Sequence, residues 1–266
     1  MTTKTRWPLA LALATLLLAT TFPTQAHQQW LFPNFFTQSA DSAWLSFDHT
    51  SGDQRFYATS APNLYYQYWV VSPAQQARTI PSLFAGKTKI VGEVELTEPG
   101  TYRIEGVEPS LVWTKLKEEE SETWQPGPRS KYEGQEILES KVYFIKALAY
   151  VSLGPVSPLP QKPIGDPLEI AFRAHPNELK ANQKLEVRLL SFGKPVADQT
   201  LQLFSGGTAG HDPMLICTTD ADGWCEFLPE KSGRYLLLAR LEGPTPEDPE
   251  IDGFSYRVSL ALEINP

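Results

Sequence analysis

The sequence predicts an all-β protein: two Ig-like antiparallel β-sandwich domains that follow a cleaved signal peptide. Three observations predict it. Helical periodicity is scarce after the first 26 residues, short alternating runs rich in aromatic and β-branched residues recur, and Gly, Pro, Asn and Asp punctuate them. Many short strands at close spacing suit sandwiches better than a parallel sheet with crossover helices.

Taken in order, the chain opens with a secretory signal over residues 1–26. Lys4 and Arg6 make the positive start, Leu9 to Thr20 is apolar, and Thr24-Gln25-Ala26 ends on the small residue a signal peptidase needs. The apolar run is shorter than the roughly 20 residues of a membrane-spanning helix. Cleavage after Ala26 implies a periplasmic protein whose first residue is His27. The strand-like runs then follow: AWLSFD at 43–48, YQYWVVS at 66–72, GEVELTEPGTYRIEGV at 92–107 and KVYFIKALAYVSL at 141–153. Leu153 to Pro167 holds five prolines, which cannot sustain a hydrogen-bonded ladder. Residues 27–155 are therefore expected to form one sandwich, 156–164 a linker and 165–266 a second, separate sandwich. The second half supplies LEIAFRA, KLEVRLLS, QTLQLFS, GRYLLLARL and SYRVSLALEI. ELTEPGTYRIEG and LPEKSGRYLLLA share a form, a strand, a Gly-containing turn and a Tyr-bearing strand, which suggests equivalent hairpins in two similar domains. Lys115 to Gln135 is highly charged and reads as a long loop with a helical turn at KLKEEESE.

Loss of the signal removes two basic residues and no acid, taking the formal net charge from −8 to −10. An acidic surface without a basic cluster argues against nucleic acid and anionic membrane as partners, and favours cations. With 41% hydrophobic residues and seven tryptophans, the chain can build packed cores. The only cysteines, Cys217 and Cys225, flank an Asp-Ala-Asp-Gly turn. Placed on two facing strands of a hairpin in an oxidising compartment, they are expected to form a disulfide; two buried thiols are the alternative. The turn reading needs a positive φ at Gly223.

Standard catalytic signatures are missing, including G-x-S-x-G, H-E-x-x-H, the P-loop and G-x-G-x-x-G, so no catalytic residue is assigned. Of the four histidines, His27, His49, His175 and His211, the first has the strongest chemical case. A free N-terminal amine and the ring Nδ1 of one residue can close a chelate on Cu(II) or Ni(II). A third nitrogen must come from elsewhere, and His175, set in RAHPNEL where His-Pro-Asn breaks a strand, is the candidate. Asp48, His49 and Asp53 read as a polar loop between strands. Tyr65, Tyr66, Tyr68 and Trp69 are either core or one exposed aromatic face.

AHQQWLFP after a signal, AWLSFD, EPGTYRI, PLEIAFRAHPNEL, FGKPVADQTLQLFSGG, TTDADGWCEF and SGRYLLLA, in this order, resemble one family. It is the periplasmic domain-of-unknown-function family number 4198, labelled as nickel-uptake-associated. The resemblance covers nearly all of the mature chain and implies an extracytoplasmic β-rich protein linked to uptake or trafficking of Ni, Co or Cu. His27 and His175 carry over as matched positions. Ala174 and Glu178 stand where the family commonly has Thr and Asp, and Ala58 to Pro62 lacks the family's frequent Asp-His. The expected cargo is a divalent transition metal, and the expected partner a membrane transporter or outer-membrane receptor. Two rival readings are a secreted binding module for a protein or glycan, and a copper oxidase using an N-terminal His clamp.

Overall fold

The computed structural model describes residues 28–52, 55–119, 121–160, 162–206, 213–243 and 247–266. His27, the signal segment, Asp53 and His211 lie outside them. The first half holds β1 (Gln28–Pro33), β2 (Thr37–Gln38), β3 (Ala43–Gly52), β4 (Gln67–Val71), β5 (Ala77–Thr79), β6 (Ser82–Ala85), β7 (Lys89–Leu96), β8 (Gly100–Glu118), β9 (Ser121–Pro126) and β10 (Ile137–Leu153). The second holds β11 (Glu169–Phe172), β12 (Leu185–Ser191), β13 (Lys194–Pro195), β14 (Thr200–Ser205), β15 (Leu215–Thr218), β16 (Trp224–Phe227), β17 (Gly233–Glu242) and β18 (Gly253–Ile264). Among the described residues only two short 3₁₀ turns are helical, and no helix is long and apolar enough to cross a membrane.

The strands form three layers. An outer sheet runs β1-β3-β7-β6, a second outer sheet joins β11, β12, β13 and β16, and a ten-stranded sheet lies between them. The order in the central sheet is β15-β14-β17-β18-β10-β8-β4-β5, with β2 on β10 and β9 on β8. Its middle is a parallel pairing of β10 with β18, from Lys141↔Gly253 to Ala149↔Ala261.

This pairing corrects the expectation of two separate sandwiches. After Leu153, the described residues of the proline-rich stretch form no strand, yet the halves share one sheet. The reason is β10, which is apolar on both faces. Ala147, Ala149, Val151 and Leu153 face a core with Leu31, Leu45, Phe47, Tyr68 and Ile104 under the first outer sheet. Phe144, Leu148 and Tyr150 face the other core, with Val187, Leu189, Tyr235, Val258 and Leu260 under the second. A strand buried on both faces cannot end a sheet at a solvated edge, so β18 covers it.

The two Tyr-bearing repeats are equivalent, but neither is a hairpin. Each carries the chain from an outer sheet into the central one, β7 to β8 and β16 to β17. In each, the tyrosine hydroxyl donates to the carbonyl four residues earlier: Tyr102 to Glu98 at 2.8 Å and Tyr235 to Lys231 at 2.7 Å. This is the tyrosine corner of Ig-like sandwiches, present once per half.

Two further segments differ from the sequence reading. Residues 115–118 and 121–126 are not a loop with a helical turn but the paired ends of β8 and β9, with Lys117 opposite Glu122 and Lys115 opposite Trp124. Thr114 and Leu116 are buried on one face, but Lys115, Lys117, Glu118 and Glu122 surround them and mask the apolar alternation of a half-buried strand. Asp48 and His49 lie inside β3, not in a loop.

Cys217 and Cys225 are disulfide-bonded, with Cα atoms 5.8 Å apart. They do not face each other across a hairpin ladder. Cys217 pairs with Leu201 in the central sheet and Cys225 with Val187 in the second outer sheet, so the bond staples two layers. The turn between them is built as expected: Gly223 has φ +80°, and the Asp220 carboxylate accepts from the amides of Asp222 and Trp224.

Candidate functional site

Two places concentrate the candidate chemistry. The first is the turn that carries His175. His175 caps the 3₁₀ turn Pro176–Glu178: its Nδ1 accepts from the Asn177 amide at 3.1 Å. An amide can only donate, so Nδ1 is bare and Nε2 carries the proton, which it donates to Thr101 Oγ1 at 3.1 Å. Burial holds the imidazole pKa below its ordinary value, against the opposing pull of Glu178. Buried Asn177 completes the turn, donating to the Phe36 carbonyl at 3.2 Å and to Ser152 Oγ at 2.8 Å. Both ring nitrogens of His175 are thus engaged, Nδ1 within the turn and Nε2 on β8, while Asn177 ties the turn to β10.

Beside this turn is a cleft of about 400 Å³, lined by Arg103, Tyr150, Phe172, Arg188 and Trp224 among others. Arg173 and Arg188 lie over the Trp224 ring at 4.5 and 5.6 Å. Beneath Arg103 runs a buried ion network. Arg103 Nε and Lys146 Nζ meet Glu105 Oε2 at 2.8 and 3.2 Å, and Lys146 also contacts Asp166. Burial alone would raise the Glu105 carboxyl, but Lys146 and Arg103 hold it below its ordinary range.

The second place is the start of β1. Gln28 pairs with Gly52, and Trp30 and Leu31 are buried two and three residues later. Gln28 lines a cleft of about 220 Å³ with Arg55, Thr200, Gln202, Arg240 and Arg257. This cleft is far from His175. Arg257 is opposite Ile145 on β10, whereas Thr101, the partner of His175, is opposite Ser152. Seven residues of strand separate these levels, about 23 Å at roughly 3.3 Å per residue. The structure therefore does not bring His175 to the start of β1 as a third nitrogen. Among the described residues no three His, Cys, Asp or Glu side chains are grouped to hold a metal ion.

His49 is the residue that sequence reasoning misplaced. It is fully buried, shares a 2.8 Å hydrogen bond with the Tyr68 hydroxyl, and meets the Tyr66 ring edge-on at 4.7 Å. Burial lowers its pKa to about 3, so the ring is neutral. It packs over Gly106, where a Cβ would come within 3.1 Å of its Nδ1 and 2.9 Å of the Tyr68 ring. Tyr66 and Tyr68 are core residues, and of that aromatic run Tyr65 is the exposed one.

Residues 24–243 match the family described as Domain of unknown function (DUF4198). The chain belongs to the DUF4198 family. No curated protein matches this DUF4198 chain. Among solved structures it is similar to the D0-D1 domain of intimin, at 12% identity over 89% of this chain and 97% of that one, with a TM-score of 0.24. A DUF4785 family protein from Legionella pneumophila is 11% identical over 79% of this chain and 50% of that one, TM-score 0.25. Escherichia coli alpha-2-macroglobulin activated by porcine elastase is 11% identical over 91% and 20%, TM-score 0.24. At such scores these likenesses bear on neither function nor fold, and the sandwich architecture rests on the sheets, cores and tyrosine corners described above.

Proposed function

We propose that this DUF4198 protein is a periplasmic, non-catalytic accessory that captures a divalent transition metal, Ni, Co or Cu, through the amine and Nδ1 of His27 after cleavage behind Ala26. The observation that carries the reading is the position of Gln28. Gln28 belongs to β1, Trp30 and Leu31 bury that strand in the core, and Gln28 lines a cleft. A chain cut before His27 would thus begin one residue from a fixed strand rather than at the end of a frayed tail. His175 supplies no nitrogen in this reading, and the remaining coordination is left to water or to a ligand that travels with the ion.

The test is titration of correctly processed protein with Cu(II), Ni(II) and Co(II) beside a version carrying one extra residue before His27. Strong weakening in the extended protein supports the amine chelate, and equal affinities defeat it. His175→Ala should leave the affinity unchanged. A second reading, a secreted binding module for a protein or glycan partner, has in its favour the 400 Å³ cleft in which Trp224 is flanked by arginines. Saturable partner binding abolished by Trp224→Ala, with no metal response, would select it.

A further inference from the structure

The larger cleft has a wall of unpaired backbone. β11 pairs with β12 alone, so its other side is an open edge of the second outer sheet. Every residue from Glu169 to Ala174 lines the cleft. The ladder fixes which groups face outwards. Arg173 donates its amide to the Glu186 carbonyl at 3.2 Å, and hydrogen-bonded residues alternate along an antiparallel pair. Glu169 and Ala171 therefore bond to β12, whereas Ile170 and Phe172 turn their N–H and C=O groups to the open edge. Leu189, opposite Ile170, agrees with this phase. It donates to the Gly223 carbonyl and accepts from the Val196 amide, away from β11.

The rest of the cleft does not complete that edge. Pro158, Pro160 and Pro163 form another wall, and a proline has no N–H to offer a ladder. This wall is held in place: Leu159 packs on the core, and the Ile164 amide donates to the Glu169 carboxylate at 2.9 Å. Sheet edges are commonly blunted by proline, lysine or a bulge, and β11 carries none of them. Its four residues span about 13 Å, the length of an added strand of equal size. The arginines are already engaged, Arg103 with Glu105, Arg173 with Glu186 at 3.2 Å and Arg188 Nε with the Asp222 carbonyl at 2.7 Å. Recognition here therefore falls to main-chain groups. Exposed Lys162 is the lining cation with neither an ion pair nor a hydrogen bond among the described residues.

We propose that this cleft takes an extended peptide segment of a partner protein, added as a strand to β11, with an acidic side chain meeting Lys162. In strand addition the main chain supplies affinity and alternate side chains supply specificity. The inference rests on the binding-module reading, names its partner as a peptide and not a glycan, and is independent of metal capture. Its test is selection of a displayed random heptapeptide library on the processed protein without metal, beside titration of maltohexaose and chitohexaose. Enriched peptides should alternate apolar residues and carry Asp or Glu. When the best of them binds, amide exchange should slow at Ile170 and Phe172 and stay unchanged at Ala171, which already bonds to β12. N-methylation of one alternate set of peptide amides should weaken binding at least about tenfold, and of the other set less than about twofold. Lys162→Glu, at an exposed position, should weaken it about fivefold. No enriched peptide, unchanged exchange at Ile170 and Phe172, equal effects of the two methylated sets, or indifference to K162E would each overturn the proposal. An oligosaccharide that binds and is lost in Trp224→Ala, with no peptide enriched, overturns strand addition and leaves the binding-module reading standing. Failure of both probes removes that reading as well.

Discussion

Replacing Lys146 with Met removes one charge from the buried network at nearly constant volume. In the native structure Lys146 Nζ lies 3.2 Å from Glu105 and also contacts Asp166, with its own side chain 6% exposed. Breaking a buried ion pair from one side typically costs about 3–5 kcal/mol, because the remaining charge stays desolvated. Here the lower end applies. Arg103 still holds Glu105 at 2.8 Å, and the Asp166 side chain, 21% exposed, can rehydrate. The expectation is a loss of about 3 kcal/mol at pH 7, equivalent to a fall in melting temperature of roughly 6–12 °C for a chain of this size. Urea unfolding followed by tryptophan fluorescence measures it. The acid response supplies a second readout. The Glu105 carboxyl is held below its ordinary value, so its stabilisation is complete above the unfolded pKa near 4.3 and is lost as pH falls through the folded value. Without Lys146 that acid-dependent part shrinks, so the gap between K146M and the native protein should narrow below about pH 4.3. In the K146M background Glu105→Gln should cost less than it does alone, because one of the two cations that Glu105 offsets is already gone. The reasoning is refuted if K146M lies within about 1 kcal/mol of the native protein at pH 7, or if the added Glu105→Gln deepens the loss by its full single-variant value.

Other expectations follow from the same structure. His49 is buried neutral with its pKa near 3, so stability is complete above the unfolded value near 6.5 and falls as pH drops towards 3. His49→Gln should flatten the stability profile between about pH 6.5 and 4.5, as read by urea midpoints. The Cys217–Cys225 bond closes a separation of eight residues, so the Cys217→Ala, Cys225→Ala double variant should lose about 2.5 kcal/mol by the chain-entropy relation. Thiol titration of unreduced, unfolded native protein should find no free cysteine. Tyr102→Phe deletes the bonds to the Glu98 carbonyl and from the Glu98 amide, Tyr235→Phe the bond to the Lys231 carbonyl, and each should cost at least about 1 kcal/mol; a loss confined to one of them would show that the two corners are not equivalent.

The strand content was legible because aromatic and β-branched runs alternate in step with the sheet, as in GEVELTEPGTYRIEGV. The repeat around Tyr102 and Tyr235 was legible for the same reason, although sequence could not tell a hairpin from a crossing between sheets. The shared sheet also had a signal. FIKALAYVSL is apolar at nearly every position, the mark of a strand buried on both faces, and it sits beside the proline-rich stretch that suggested a clean division. The arginine cleft had none. Arg55, Arg240 and Arg257 are spread over some two hundred residues, and only the pairing of β17 with β18 sets two of them side by side. His49 escaped because Asp48 and Asp53 around it suggested a turn, whereas Gly106 opposite opens the space that takes an imidazole into a core. His175 showed its cap position in His-Pro-Asn, but not the loss of both nitrogens to hydrogen bonds.

The parallel pairing of β10 with β18 has a consequence for the order in which the molecule can be built. The seam joins Lys141–Ala149 to Gly253–Ala261, so the middle of the largest sheet is completed by a strand that is synthesised long after β10. Until those residues emerge, β10 and β17 are both open edges, long and apolar, and each is a template for a strand from another chain. Truncation by the 12 residues of β18 would therefore not trim a tail. It would leave two half-molecules held by their connecting segment, each with an unmatched edge that β18 of an intact second copy could fill.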